Sequence, residues 1–371
     1  MKILQINKLY YPIIGGIETV VKDIAEGLNK KDELSVDVLA CQKKGARTTE
    51  TINGVKIFKA ASWGKALGMP LSLDFFRLFK KLHSDYNLFL IHYPFPLATL
   101  ITPFIPKQKL IIYYHSDIIR QKFFSLPFQP FICSSLKRAS KILVSGQNII
   151  SSSPLLKKYA SKCIVVPFGF KADFQNADYQ EAEKIKQQYS SSKPLLLAIG
   201  RLVYYKGYQY AIKALENISA NLIIIGQGPE ENKLRALIAS TNQANKIFII
   251  PPQKRLEPYL LACDIFLFPS MARSEAFGLV QLEALAAGKP IINTRLHTAV
   301  EEVSLNGVSG LTVEIKNADA LATAINKLLN DKTLRQQYGE NAKQRYQESF
   351  RMEIFLEKIS QIIIASYSIK I

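Results

Sequence analysis

Two glutamates, Glu275 and Glu283, stand eight positions apart in a stretch that runs from Ser274 to Pro290, with Gly278 between them. The apolar run Ile265-Phe266-Leu267-Phe268 precedes them and reads as a buried parallel strand. The spacing from about Phe277 to Ala287 predicts a helix closed by Gly288 and Pro290. Glu275 then lies in the loop at the strand's carboxyl end, where open α/β sheets take their ligands. Glu283 falls about one and a half turns into the helix, on the face of Leu279. The amides of Phe277, Gly278, Leu279 and Val280 lack intrahelical acceptors and can hold an anion. A carboxylate on each side of an anion site suits a ligand with phosphate in its middle and hydroxyls at both ends, as in a sugar nucleotide. By spacing alone, two solvated helix glutamates would give the same pattern.

Three other places carry chemistry. Gly200-Arg201-Leu202-Val203-Tyr204-Tyr205-Lys206-Gly207 follows the apolar run Leu195–Ile199 and opens a helix. Arg201 offers a planar fork and Lys206 a point charge, both suited to a diphosphate; the alternative is a basic turn facing solvent. Gly15 and Gly16 join the first strand to the first helix in Tyr11-Pro12-Ile13-Ile14-Gly15-Gly16-Ile17-Glu18. Paired glycines let a backbone approach a ligand closely, and a helix start favours negative charge. They also serve as a simple joint, and they lack the G-x-G-x-x-G spacing of a nicotinamide site. His115 closes the run Ile111–Tyr114 in Tyr-Tyr-His-Ser-Asp, at a strand's carboxyl end, where it either meets a ligand or packs. His83, His92 and His297 have no comparable setting.

These residues must be carried by a scaffold, and its outline is legible. With 371 residues the chain accommodates two domains of ordinary size. A hydrophobic content of 48% with mixed charge excludes a disordered chain. Cys41, Cys133, Cys163 and Cys263 show no C-x-x-C spacing and read as thiols of a reducing compartment. No signal peptide is expected, and the uncharged run 88–106 holds four prolines and His92, which argues against a membrane helix. A cytoplasmic location follows as the expectation. No His, Cys and carboxylate cluster has metal-ligand spacing, so neither metal nor cofactor is expected.

Strands are predicted at 2–6, 36–40, 87–92, 109–114, 141–144 and 164–167, with a helix over 17–28. After a polar stretch at 171–193, strands follow at 195–199, 221–225, 246–250, 264–268, 290–293 and 310–313. Helices near 208–216, 230–239, 256–262 and 318–329 separate them. Such alternation implies two mostly parallel, doubly wound α/β sheets in series. The expected domains are 1–170 on the acceptor side, 171–350 on the donor side, and a C-terminal helix at 351–371 that crosses back to the first.

Taken together, these residues resemble glycosyltransferase family 4, retaining enzymes of the two-domain GT-B architecture. The E-x7-E segment with Gly288-Lys289-Pro290, and Gly200-Arg201-Leu202 with Lys206-Gly207, carry the resemblance in combination. Gly15-Gly16-Ile17-Glu18 and Pro167-Phe168-Gly169 fit as lesser marks. The resemblance covers nearly the whole chain. It implies two Rossmann-like domains facing across a cleft. It implies that Glu275 bonds donor-sugar hydroxyls and Glu283 the ribose. Arg201 and Lys206 would hold the diphosphate with amides near Gly278 and Leu279; Gly16 would lie against the diphosphate and His115 beside the donor sugar. Leu296-His297-Thr298-Ala299-Val300 and Ile250-Pro251-Pro252-Gln253 depart from the family pattern and leave sugar and nucleobase open.

The implied reaction moves a hexosyl group, with retention, from a UDP- or GDP-linked donor to a hydroxyl of a glycan or lipid-linked glycan, in polysaccharide or lipopolysaccharide synthesis. A sugar-nucleotide epimerase of the same architecture is the alternative among enzymes. The net charge of +18 permits a nucleic-acid binder, though no nucleic-acid motif is present and none is expected as a partner. Residues 1–170 hold 24 Lys+Arg against 10 Asp+Glu, whereas 171–371 hold 24 against 20. That excess, with Phe75-Phe76-Arg77-Leu78-Phe79-Lys80-Lys81 and Lys122-Phe123-Phe124, reads as a peripheral surface for an anionic membrane. Amphipathic core helices with basic outer faces are the simpler alternative.

Overall fold

The computed structural model describes every residue except 14, 67–68, 118–127, 191 and 369–371. Lys122, Phe123 and Phe124 therefore lie outside the described residues. The chain divides into two compact units: Met1–Phe168 with Glu353–Ile371, and Gly169–Met352.

The first unit contains β1 (Lys2–Ile6), β2 (Ser35–Cys41), β3 (Thr48–Ile52), β4 (Val55–Ala60), β5 (Lys65–Ala66), β6 (Met69–Pro70), β7 (Leu88–Tyr93), β8 (Leu110–Tyr114), β9 (Lys141–Val144) and β10 (Cys163–Val165). Eight of these form one sheet in the order β10-β9-β8-β7-β1-β2-β4-β3, parallel except for β3. Beyond Lys2, strands β1, β7 and β8 are buried on both faces, which is why they read as apolar runs, interrupted only by Gln5 and His92. The helix Gly16–Leu28 returns from β1 to β2 and buries Val20, Val21, Ile24 and Leu28, an i, i+1, i+4 stripe.

Two elements of this unit differ from expectation. Strands β3 and β4 have no counterpart in the expected pattern; they form a hairpin closed by Asn53 and Gly54, both with positive φ. The segment Phe75–Lys81 is not an aromatic surface. It lies in the helix Asp74–Leu82, where Phe75, Leu78, Phe79 and Leu82 enter the core. Arg77, Lys80 and Lys81 face out and Phe76 is half-buried, because a helix with apolar positions three and four apart turns one stripe inward.

The second unit contains β11 (Leu195–Ile199), β12 (Asn221–Ile225), β13 (Ile247–Ile250), β14 (Ile265–Phe268), β15 (Ile291–Thr294) and β16 (Gly310–Val313). All pair in parallel in the order β13-β12-β11-β14-β15-β16. Helices cover the sheet, and Leu196, Leu222, Ile265 and Ile292 share one core with Ile212, Leu321 and Leu328.

The C-terminal helical pattern is two helices, Lys332–Ser349 and Met352–Ser368. Phe170 bonds to Phe350 and Met352 through its backbone across the break. Met352–Ser368 belongs to the first unit. Its Phe355 meets the Phe168 ring, its Glu357 pairs with Lys31, and Leu356 sits so close to Gly27 that a Cβ there would come within 2.3 Å.

Candidate active site

In each unit the strand order reverses once, and several of the predicted site residues lie on loops beside that point. Strands there diverge to opposite helical layers, which opens a crevice outside their carboxyl ends. In the second unit that point lies between β11 and β14, which are direct neighbours (Leu196↔Ile265).

The chain leaves β11 at Gly200 and passes through the turn Tyr204–Lys206 to Gly207, whose φ is 71°. A Cβ on Gly207 would lie 2.0 Å from the carbonyl oxygen of Pro269, so only glycine lets this loop rest on the end of β14. Met271 N–H donates to the Tyr205 carbonyl at 2.8 Å and ties the two loops. Lys206 Nζ thereby reaches Glu275 Oε2 at 2.6 Å, with side chains only 12% and 14% exposed. The ammonium also lies 4.9 Å from the Phe268 ring centroid. Arg201 is exposed beside this pair and donates to the Tyr205 hydroxyl at 3.3 Å.

Glu275 is held through its backbone. Thr298 Oγ1 donates to the Glu275 carbonyl at 3.0 Å, and Ala299 N–H to the Ala276 carbonyl at 3.0 Å. Gly278, with φ 75°, leaves room for the Phe268 ring, which a Cβ would meet at 2.5 Å. Phe277 turns its ring into the core against Phe350, so only its backbone faces the loop. The helix is Val280–Ala286, shorter than expected, with Leu279 as its N-cap. Glu283 is largely buried on this helix, and burial, with Glu257 nearby, pushes its carboxyl up to about 8. It makes no side-chain hydrogen bond or ion pair among the described residues. The structure thus brings Lys206 and Glu275 into contact, sets Arg201 beside them, and keeps Glu283 apart as a buried, mostly protonated acid.

In the first unit the reversal lies between β1 and β7. The Gly15–Gly16 turn follows β1, and Glu18 folds back over it, its Oε2 lying 2.3 Å from where a Gly15 Cβ would be. Lys59 secures the preceding loop, donating to the Tyr11 carbonyl at 2.9 Å and pairing with Glu50.

His115 follows β8 and is 3% exposed. Burial, and secondarily the charge of Lys8, pulls its pKa down to about 3, so it is a neutral imidazole at any ordinary pH. Its Nε2 meets His92 Nδ1 at 2.9 Å, and His92 Nε2 meets Gln5 Oε1 at 2.7 Å. His92 therefore has a setting that its sequence neighbours do not reveal. The signal available is register: Gln5 and His92 each stand next to last in neighbouring parallel strands.

Tyr208 and Ser270 carry no signal in sequence either. Their hydroxyls are buried and without a partner among the described residues, Tyr208 beside Gly200 and Ser270 on the loop that leaves β14. Among the described residues no group of His, Cys, Asp and Glu could hold a metal ion. No helix of these residues is long and apolar enough to cross a membrane.

The family model Glycosyltransferase Family 4 matches residues 14–169, and Glycosyl transferases group 1 matches residues 180–345. The chain belongs to the glycosyltransferases built from these two domains, and its fold is GT-B.

Among its relatives is O-antigen chain mannosyltransferase C of Escherichia coli, 29% identical over 96% of each chain. The D-rhamnosyltransferase WbpZ of Pseudomonas aeruginosa is 27% identical over 94% of this chain and 92% of that one. In fold, HepE of Anabaena, crystallised with UDP, superposes with a TM-score of 0.81, covering 98% of this chain and all of that one at 20% identity.

Proposed function

We propose that the protein transfers a hexosyl group, with retention at the anomeric carbon, from a UDP- or GDP-linked sugar to a hydroxyl of a glycan or lipid-linked glycan. Cell-surface polysaccharide or lipopolysaccharide synthesis is the setting, in keeping with the mannosyl- and rhamnosyltransferase relatives. The observation that carries the reading is the buried Lys206–Glu275 contact at the sheet's reversal, with Arg201 alongside.

In this reading Lys206 and Arg201 take the diphosphate, assisted by amides at Gly278 and Leu279. Glu275, released from Lys206, accepts hydroxyls of the donor sugar. Glu283 takes the ribose, while Gly15 and Gly16 approach the diphosphate and His115 the sugar. The costly event is cleavage of the anomeric C–O bond, whose electron pair moves onto the diphosphate. Fixed cationic donors stabilise that charge, and one such donor contributes about 3 kcal/mol. The acceptor oxygen enters on the face the diphosphate leaves, and its proton passes to the departing phosphate oxygen. No metal is required for this charge balance.

A peripheral contact with anionic membrane is part of the proposal. It falls on the segment around β5 and β6, where Trp63, Leu71 and Leu73 are 70%, 46% and 59% exposed beside the basic first unit.

A thermal-shift panel of nucleotide sugars tests the donor class, since a ligand at 100 times its Kd adds about 2.7 kcal/mol. Release of free nucleoside diphosphate only when acceptor is present separates transfer from epimerisation. Inverted product, or a trapped covalent glycosyl-enzyme, would refute the same-face mechanism.

A further inference from the structure

Gln5, His92 and His115 form one buried chain across three adjacent strands, β1, β7 and β8. Gln5 and His92 are fully buried. At the far end of the chain Gln5 Nε2 donates to the Val21 carbonyl at 3.3 Å, on the helix Gly16–Leu28. At the near end His115 Nδ1 is buried and has no partner among the described residues.

The proton order follows from the end that cannot vary. A carbonyl only accepts, so the amide nitrogen of Gln5 faces Val21 and its oxygen faces His92. His92 must then carry its proton on Nε2, leaving Nδ1 bare. A bare Nδ1 can only accept, so His115 carries its own proton on Nε2. Each ring holds one proton, because burial lowers the pKa of both. The last atom, His115 Nδ1, is left as a lone pair. The reverse order would turn the Gln5 oxygen onto a carbonyl oxygen and leave a buried N–H without an acceptor, the rarer and costlier fault.

The ring's orientation is also held. Tyr113 lies 4.7 Å away at 12° and Phe168 5.5 Å away at 32°, while His115 N–H bonds the Tyr93 carbonyl at 3.0 Å.

We infer that Gln5 and His92 are positioning residues that lock His115 as a pure hydrogen-bond acceptor at Nδ1, there to receive a hydroxyl of the transferred sugar. The hydroxyl's identity rests on the proposed function; the proton order does not. A sugar lacking that hydroxyl would leave a buried acceptor unsatisfied, and sites built this way discriminate strongly against the missing group.

The test uses the full chain with 15N-labelled histidine. With only four histidines, a long-range 1H–15N spectrum is simple to assign by His92 and His115 substitution. The wild-type protein is expected to show His92 and His115 both in the Nε2–H form. Gln5→Met removes the acceptor of His92, so either proton order then leaves one N–H unpaired, and His92 and His115 should both show the two tautomers in exchange, although the substitution does not touch His115. A wild-type His115 with its proton on Nδ1, or a His115 tautomer unmoved by Gln5→Met, overturns the assignment. Should Gln5→Met not melt cooperatively, His92→Leu is read instead, and His115 must then show both tautomers in exchange.

A second arm compares kcat/KM for the donor and its monodeoxyfluoro analogues. A C–F group accepts only, so the wild type should reject one analogue, and that discrimination should collapse at least about ten-fold in Gln5→Met, where Nδ1 carries a proton part of the time. The expected spectra with no such collapse would remove the sugar hydroxyl from Nδ1. Failure of every nucleotide sugar to stabilise the protein would instead defeat the donor reading and leave the proton order standing.

Discussion

Glu283 should make donor binding depend on pH in a range where an ordinary glutamate would not. Its carboxyl is displaced from 4.5 to about 8, chiefly because the helix Val280–Ala286 buries it and secondarily because Glu257 is near. At pH 7 about nine molecules in ten hold the proton. Two ribose hydroxyls are best accepted by the anion, so that proton must leave as the donor binds. Each pH unit below about 8 then costs about 1.4 kcal/mol, or ten-fold in Kd. A nucleotide sugar has no group of its own titrating here, so its Kd should fall about ten-fold per unit from pH 6 to 7.5 and flatten above 8. Isothermal titration in two buffers of different ionisation enthalpy should count close to one proton released at pH 6.5.

The same group acts on stability with a definite sign. Its folded pKa lies above its unfolded one, so between about 4.5 and 8 the folded state binds the extra proton. Stability therefore falls as pH rises through that window, by up to about 1.4 kcal/mol per unit from this group. Glu283→Gln should abolish both slopes. A donor Kd that is flat from pH 6 to 9, or a Gln variant that keeps the wild-type slope, would refute the reasoning.

Glu275→Ala should keep a cooperative melt but lower turnover by about 10²–10³-fold, whereas Glu283→Ala should act mainly on donor KM; steady-state kinetics separates the two, and wild-type rates in both would remove the site. Gly207→Ala should cost at least about 1–3 kcal/mol from its left-handed backbone alone, with a further loss from the clash against Pro269, read as a fall in denaturation midpoint and in donor affinity together. Trp63→Ser should weaken flotation with anionic liposomes at low salt without changing transfer to a soluble acceptor; no flotation of the wild type would retire the membrane contact.

The part of the chain governed by local rules is legible in its sequence. Strands β9, β11 and β12 coincide with the predicted runs, because a strand buried on both faces is a nearly continuous apolar segment between breakers. Gly207 and Gly278 sit beside charged residues at strand ends, and that pattern by itself points to Arg201, Lys206 and Glu275. The β3–β4 hairpin has a local signal too, in Asn53-Gly54, but its edge strand β3 is mostly exposed and polar, and β4, though buried, is broken by Lys56 and Lys59, so neither shows the apolar run that flags the others.

Tertiary structure alone decided the rest. Lys206 and Glu275 are 69 positions apart in sequence and touch only because β11 and β14 are neighbours and Gly207 admits the Pro269 carbonyl. The aromatic run at Phe75–Phe79 turned inward because a helix faces the core with one stripe, and sequence does not say which stripe a neighbour will cover. Gln5 and His92 lie in separate strands and His115 just past a third, and no local pattern links them. Their hydrogen bonds arise from parallel register, and the proton order those bonds impose exists only once the sheet has formed.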